Sequence, residues 1–157
     1  MFEKKEYIVS SSFGICMVEK ITKLVVGRER QMEYYVLQSL KDLNKKSYIP
    51  VEQHETILRV PMTEQEAETL LKGLPIVAND SRMQKNLMYE EVRQLLEGGE
   101  PEKWAFGCIY YLRNRDTLDS QMCSVLGKIW ENLTGELAFV LKKSQDDIRQ
   151  IFENAIE

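Results

Sequence analysis

The spacing of apolar and polar positions changes once along this chain, near Thr63. Before it, apolar residues fall in short β-rich runs separated by polar turns; after it, they recur at helical spacing. Residues 7–9 make a first short strand, and the polar turn at 10–14 ends on a glycine, suited to a bend. Residues 15–21 read as a second strand, mostly apolar on both faces up to Glu19 and Lys20. Residues 24–26 read as a third, followed by Gly27 and a charged tip over 28–31. The stretch 33–51 predicts a hairpin. Its arms, 34–38 and 47–51, are rich in aromatic and β-branched side chains, and the connection carries Asp42, Asn44, Lys45 and Lys46. Residues 57–60 close the series. So many short strands in so few residues predict a small, strongly bent sheet or barrel, with Ile8, Val18, Ile21, Val36, Leu37 and Ile49 inside. Burying each is worth about 1.5–3 kcal/mol.

Thr63-Glu-Gln-Glu66 has the form of a capping box, and Ala67, Leu70, Leu71 and Leu74 follow at helical spacing until Pro75. Residues 75–80 read as a connector. A second helix is expected from Ser81, capped by Asp80 or Ser81, with Leu87, Met88, Val92, Leu95 and Leu96 inward and Gly98-Gly99 at its end. Pro101 suits the first turn of a third helix reaching about Asn114, with Ala105, Cys108, Ile109 and Leu112 inward. Asp119 opens a longer fourth helix with Leu126, Ile129, Leu133, Leu137 and Val140 as its stripe. Ser144 caps a fifth, burying Ile148, Ile151, Phe152 and Ala155. Trp104 and Trp130 read as packing residues. The expected architecture is α+β: a β-domain over residues 1–61 and a compact five-helix domain over 62–157.

Composition narrows the function. The chain has 157 residues, 43% apolar and 29% charged, with a net charge of −4. No apolar run is long enough to span a membrane, and the N-terminus lacks the apolar core of a secretory signal, so a cytoplasmic protein is expected. Cys16, Cys108 and Cys123 are odd in number and have no metal-ligand spacing, which favours buried reduced thiols. The sole histidine, His54, sits in a polar loop stretch without a catalytic or metal-binding partner pattern. Phosphate-loop and nucleophile-elbow motifs are missing, and the carboxylates fall on solvated helix faces. These features disfavour an enzyme and imply no cofactor, metal or small-molecule substrate. Residues 1–60 carry ten Lys/Arg against eight Asp/Glu, whereas 61–157 carry eleven against seventeen. Such a balance is unlike that of a basic nucleic-acid-binding domain, so any DNA contact needs a local patch.

The ordered segments Tyr7-Ile-Val, Phe13-Gly-Ile-Cys-Met-Val-Glu-Lys-Ile21, Glu33-Tyr-Tyr-Val-Leu37 and Tyr48-Ile-Pro-Val-Glu52 resemble the RNA-polymerase-interacting domain of CarD-type transcription regulators, a module shared with the transcription-repair coupling factor. Leu95-Leu-Glu-Gly-Gly and Leu133-Thr-Gly-Glu-Leu-Ala138 are similar to that family's tail. The resemblance implies a Tudor-like N-terminal barrel that docks on the β subunit of bacterial RNA polymerase by pairing strand edges. The corresponding positions are Thr22, Lys23, Leu24, Val25 and Val26, together with Tyr48. Lys23 and Tyr48 stand where family members often carry arginine, and a lysine cannot reproduce an arginine's bidentate fork.

The resemblance also implies a helical domain that contacts promoter DNA and stabilises the open complex. There a tryptophan wedge precedes a Ser-Arg pair. Here that position is Asp80, before Ser81-Arg82, and a carboxylate repels phosphate while suiting a helix N-cap. The basic remnant is Arg82, Lys85 and Arg93, with Tyr89 between them, at spacings that would align on one helical face. Glu90, Glu91 and Glu97 lie close by, so an ordinary solvated face is the competing reading. Weak or absent DNA binding is therefore expected. The alternative function is a protein–protein adaptor that docks elsewhere through the β-domain and has no role at promoters.

Overall fold

The computed structural model describes residues 2–26, 30–42, 44–52 and 58–157, with only the backbone of Val26 and Arg30. The turn expected at Gly27 with its tip at Arg28, and the loop holding His54, lie outside the described residues. The chain forms two compact units, Met1–Pro61 and Met62–Glu157.

The first unit is a five-stranded antiparallel sheet: β1 (Tyr7–Ser10), β2 (Gly14–Val26), β3 (Arg30–Ser39), β4 (Lys46–Pro50) and β5 (Leu58–Arg59), in the order β4-β3-β2-β1-β5. The two strands expected over 15–21 and 24–26 are one. Gly14, at φ 72°, makes the tight β1–β2 turn in a conformation that other residues adopt only with strain. The hairpin expected over 33–51 is β3 paired with β4, Tyr35 opposite Ile49 and Val36 opposite Tyr48. The described strands make an open sheet and not the closed barrel that the resemblance implies. β4 and β5 stand at its edges, and β5, two residues long, pairs with β1 and no other described strand.

A bulge sets the core. Between Val18 and Lys20 the β2–β3 register slips by one residue, so that Val18 pairs with Leu37 and Lys20 with Val36. Side chains alternate faces along a strand, and the extra residue resets the alternation. Ile21, rather than Lys20, thereby joins Val18 on the core side. Ile8, Cys16, Val18, Tyr35, Leu37 and Ile49 form this core, flanked by Phe2, Ile21, Val51 and Leu58. Phe2 closes one end of it. Its ring lies 5.8 Å from that of Tyr35, and its backbone N–H donates to the Tyr35 hydroxyl at 3.0 Å.

The second unit contains six α-helices rather than five: α1 (Glu64–Lys72), α2 (Leu74–Ala78), α3 (Tyr89–Gly98), α4 (Pro101–Asn114), α5 (Ser120–Leu141) and α6 (Gln145–Ala155). The Thr63 capping box forms as its sequence predicts, with Thr63 Oγ accepting from the Glu66 N–H and the Glu66 carboxylate accepting from the Thr63 N–H. Pro75 does not merely stop α1. The chain breaks at Gly73, and proline then occupies the first turn of α2, where its missing N–H costs nothing. The helix expected from Ser81 does not run through. Asp80 caps a 3₁₀ turn (Ser81–Gln84), Lys85 is extended, and α3 begins only at Tyr89.

α5 is the axis of the unit, packing against α1, α3, α4 and α6. Leu126, Ile129, Leu133 and Leu137 are fully buried along it. α4 is buried on every side from Trp104 to Tyr110, the signature of a helix inside a bundle. Gly107 allows α4 and α5 to approach, since a Cβ there would come within 3.3 Å of Ile129. Both tryptophans pack: Trp104 is fully buried, and Trp130 meets Phe152 edge-on at 5.3 Å. No helix among the described residues is long and apolar enough to cross a membrane.

Burial pushes the Cys16 thiol up to about 12, and the fully buried Cys108 thiol also lies well above its ordinary value. Cys123 is half-buried. At pH 8 the native protein should therefore show one readily labelled thiol, at Cys123. Denaturant should expose the other two, and mass spectrometry of alkylated peptides distinguishes them.

Candidate docking edge and charged groove

Among the described residues, the second half of β2 has a strand on one side only. β1 accompanies β2 only from Gly14 to Met17, and the Lys5 N–H and Glu6 carbonyl extend that pairing to Val18. From Lys20 to Val26, β2 is paired with β3 on one side, and no described strand lies on the other. Alternate backbone groups along that margin point outward, the template that an additional strand would use. Thr22, Lys23, Leu24, Val25 and Val26 all lie on it.

Their side chains do not share one face. Opposed residues in neighbouring strands lie on the same side of a sheet. Thr22 is opposite Tyr34, which is opposite Pro50, while Lys20 is opposite Val36, which is opposite Tyr48. Thr22, Leu24 and Tyr48 therefore occupy the surface away from the core, and Lys23 and Val25 project to the other side. Tyr48 lies two strands from β2, on the outer strand of the hairpin. Leu24, Val25 and Tyr48 are exposed at 39, 67 and 58%. An exposed valine and leucine at adjacent positions of this margin present apolar surface above and below it. Lys23 is the exposed cation among them.

Residues 2–61 match the family model described as the CarD-like/TRCF RID domain. This RNA-polymerase-interacting domain (RID) is a protein-interaction module. The match covers the β unit, less than half of the chain, and leaves the helical unit outside it. No curated protein matches the chain.

In the helical unit, the expected basic stripe is broken up. Arg82 lies in the 3₁₀ turn, Lys85 at its end, and Arg93 in the middle of α3. The spacing that would align them holds only on a continuous helix, and the extended backbone at Lys85 (ψ 150°) interrupts it. Arg82 and Lys85 do come together, lining with Lys103 an open groove of about 550 Å³ that also carries Glu91, Glu100 and Glu102 beside Leu87, Leu95 and Phe106. Glu91, Gln94 and Leu95 turn toward that groove, whereas Arg93 belongs to the part of α3 that carries Glu90 and Glu97. Tyr89 is exposed.

Two of the three cations are held by their own neighbours. Arg82 donates from Nε to Asp80 Oδ1 at 3.1 Å and from Nη2 to Oδ2 at 2.8 Å, and its guanidinium lies 5.0 Å from the centre of the Phe106 ring. Arg93 donates to both Glu90 and Glu97. These pairings raise both guanidinium pKa values and lower that of Glu90, each mainly through the side-chain hydrogen bond. Asp80 falls to about 2, held chiefly by the Arg82 side chain and then by its backbone N–H. Phe106 escaped the sequence analysis because the expected inward stripe of α4 passed on either side of it. The broad burial of α4 reflects its enclosure by neighbouring helices, which periodicity alone does not reveal.

The Arg82 fork depresses the Asp80 carboxyl, so its stabilising contribution is complete above the ordinary carboxylate range and is lost as the pH falls through about 2. A carboxyl chemical-shift titration of Asp80 should give a midpoint near 2 in the wild type. Arg82→Gln should return that midpoint toward the ordinary value. An unchanged midpoint would show that the fork does not form in solution.

Proposed function

We propose that this chain is a bacterial transcription regulator that docks on the RNA polymerase β subunit through its RID. It acts in the cytoplasm, where the polymerase works, and modulates the stability of the promoter open complex. The observation that carries this reading is the second half of β2, beside which β3 is the one described strand, within a domain matched to the RID family. A strand of the polymerase adds to the margin Thr22, Lys23, Leu24, Val25 and Val26. Backbone hydrogen bonds supply affinity, and exposed side chains on each face supply selectivity. Thr22, Leu24 and Tyr48 form the contact on one face, and Lys23 and Val25 on the other.

The helical unit adds little DNA binding of its own. Asp80 occupies the position where the resemblance calls for an intercalating tryptophan, and Arg82 and Arg93 are paired with carboxylates. Of the three residues expected to contact DNA, Lys85 is the one outside these pairs, and a single phosphate contact gives only a shallow dependence on salt. The same pairing favours the second reading, an adaptor without a promoter role, because it leaves the helical unit with little to offer a duplex. Pull-down from a bacterial lysate separates the readings: recovery of the polymerase supports the first, and recovery of another protein in its place supports the second.

Val25→Pro tests the docking edge. Proline removes one backbone donor and disfavours addition of a strand. The variant should lose co-purification with the polymerase by at least about tenfold, as expected when backbone pairing carries the affinity. Helical content by circular dichroism should stay at the wild-type level. Undiminished co-purification would show that the β2 edge is not the docking surface.

A further inference from the structure

The segment Leu133-Thr-Gly-Glu-Leu-Ala138 places two fully buried polar side chains, Thr134 and Glu136, in the axial helix α5. Each is tied to the start of a neighbouring helix. Thr134 Oγ accepts from Nε2 of Gln145, the first residue of α6, at 2.9 Å. Glu136 Oε2 accepts from the backbone N–H of Met62 at 2.9 Å, 74 positions earlier and just before the Thr63 cap of α1. The next N–H, that of Thr63, goes to Glu66. Of the two N–H groups leading into α1, one is thus held by the helix's own first turn and the other by α5. A carboxylate buried without hydrogen bonds is strongly unfavourable, and so is a buried N–H without an acceptor, so this contact matters to both partners.

Other packing on α1 is slight. Of its nine residues Ala67 alone is buried, whereas α4 buries seven of fourteen and α5 nine of twenty-two. Leu70 and Leu71 are half-buried. The helix ends at Gly73, and full burial resumes at Leu74. α3 also buries one residue, Val92, but its Leu95 and Leu96 carbonyls accept from the indole N–H of the buried Trp104. The lightly packed helices are therefore held by polar ties from α4 and α5, and the tie of α1 is Glu136.

We propose that α1 is a releasable helix and that Glu136 is its latch: residues 62–73 detach from α5 together, before α4 and α5 open, and the Glu136–Met62 hydrogen bond sets how often. α1 is the first helix after Pro61, where the β unit ends. Released and extended, its nine residues reach about 30–32 Å, against about 14 Å as a helix. The latch thus decides whether the chain entering the helical unit is short and fixed or long and free. This is independent of what either unit binds.

The test is native-state hydrogen exchange on the full chain, followed by NMR at low guanidinium concentrations. Wild type is compared with Glu136→Gln, Glu136→Leu and Gly73→Ala. In the wild type, the amides of Met62 and residues 67–72 should share one opening, at least about tenfold more frequent than that of the slowest α4 and α5 amides and less dependent on denaturant. Glu136→Gln keeps an accepting oxygen but loses the charge, and exchange of these amides should rise about three- to tenfold. Glu136→Leu removes the acceptor, and the rise should be about ten- to a hundredfold. Gly73 has right-handed helical backbone, and a Cβ there meets Thr69 and Leu70 carbonyl oxygens at 3.5 and 3.6 Å, ordinary contacts. Gly73→Ala should therefore slow the α1 exchange about two- to fivefold, by narrowing the released ensemble.

Wild-type α1 amides that exchange only with those of α4 and α5, at the same denaturant dependence, overturn the release. Exchange at Met62 and α1 that Glu136→Gln leaves unchanged overturns the latch. A rise that depends on denaturant as steeply as α4 and α5 also overturns it, since the substitution would then loosen the whole unit. Should Glu136→Leu fail to fold, the glutamine and Gly73→Ala variants decide the matter alone, and α1 exchange that Gly73→Ala does not slow counts against release as far as residue 73.

Discussion

The register slip between Val18 and Lys20 governs most of what the β unit can do. Before it, β2 is a shared strand, with β1 on one side and β3 on the other. After it, β2 continues to Val26 with β3 and no other described strand. The same slip rotates the side-chain alternation so that Ile21 reaches the core and Lys20 does not. Without the extra residue, keeping Val18 inside would direct Lys20 toward Tyr35 and Leu37, and burying that charge would cost far more than burying an isoleucine gains. One inserted residue therefore brings Ile21 to the core, and β2 runs on past the reach of β1 with no described strand but β3 beside it. Such edges are normally covered or charged because they invite pairing. This one carries Lys23 but also an exposed leucine and valine, a composition suited to a partner that pairs there.

A different constraint operates in the helical unit. Glycine and proline at 73 and 75 shorten α1 and start α2, and Asp80 then turns the chain through a single 3₁₀ turn before the extended link to α3. Arg82 and Lys85 are consequently carried away from Arg93, and each group of cations meets a local set of carboxylates. The unit's acidic balance is thus not spread evenly over its surface. Some of it is spent at the positions where a basic stripe would otherwise have formed. Ion pairs at exposed sites contribute little to stability, about 0–1 kcal/mol each, so their effect here concerns what the surface presents to a charged partner more than how firmly the unit folds.

Local chemistry made much of this legible in the sequence. The Thr63 box, the Asp119 and Ser144 caps and the Pro101 start each form, because a cap depends on residues three or four positions apart. The apolar stripe of α5 was visible for the same reason. The bulge in β2 was not, because it depends on which residue of β3 lies opposite, a relation that sequence separation hides. The break at Lys85 was also hidden. Residues 81–97 keep a helical period and even present a Ser-x-x-Gln pattern, yet Asp80 takes the cap position and the Ser81-to-Gln84 box does not form. Periodicity states which residues could share a face, and the interruption decides which of them do.

The two units reach their surfaces by opposite routes. In the β unit, backbone groups of β2 beyond Val18 meet no described strand on one side, and specificity must come from the few side chains that flank them. In the helical unit, backbone groups are satisfied within helices and caps, and the surface is decided by which charges are already paired. A partner that adds a strand would use those backbone groups, whereas a polyanion must compete with Asp80 for Arg82 and with Glu90 and Glu97 for Arg93. That asymmetry makes protein docking at β2 the stronger of the two expected interactions. A change confined to Asp80 acts on the charges of the helical unit and leaves the backbone groups of β2 as they are.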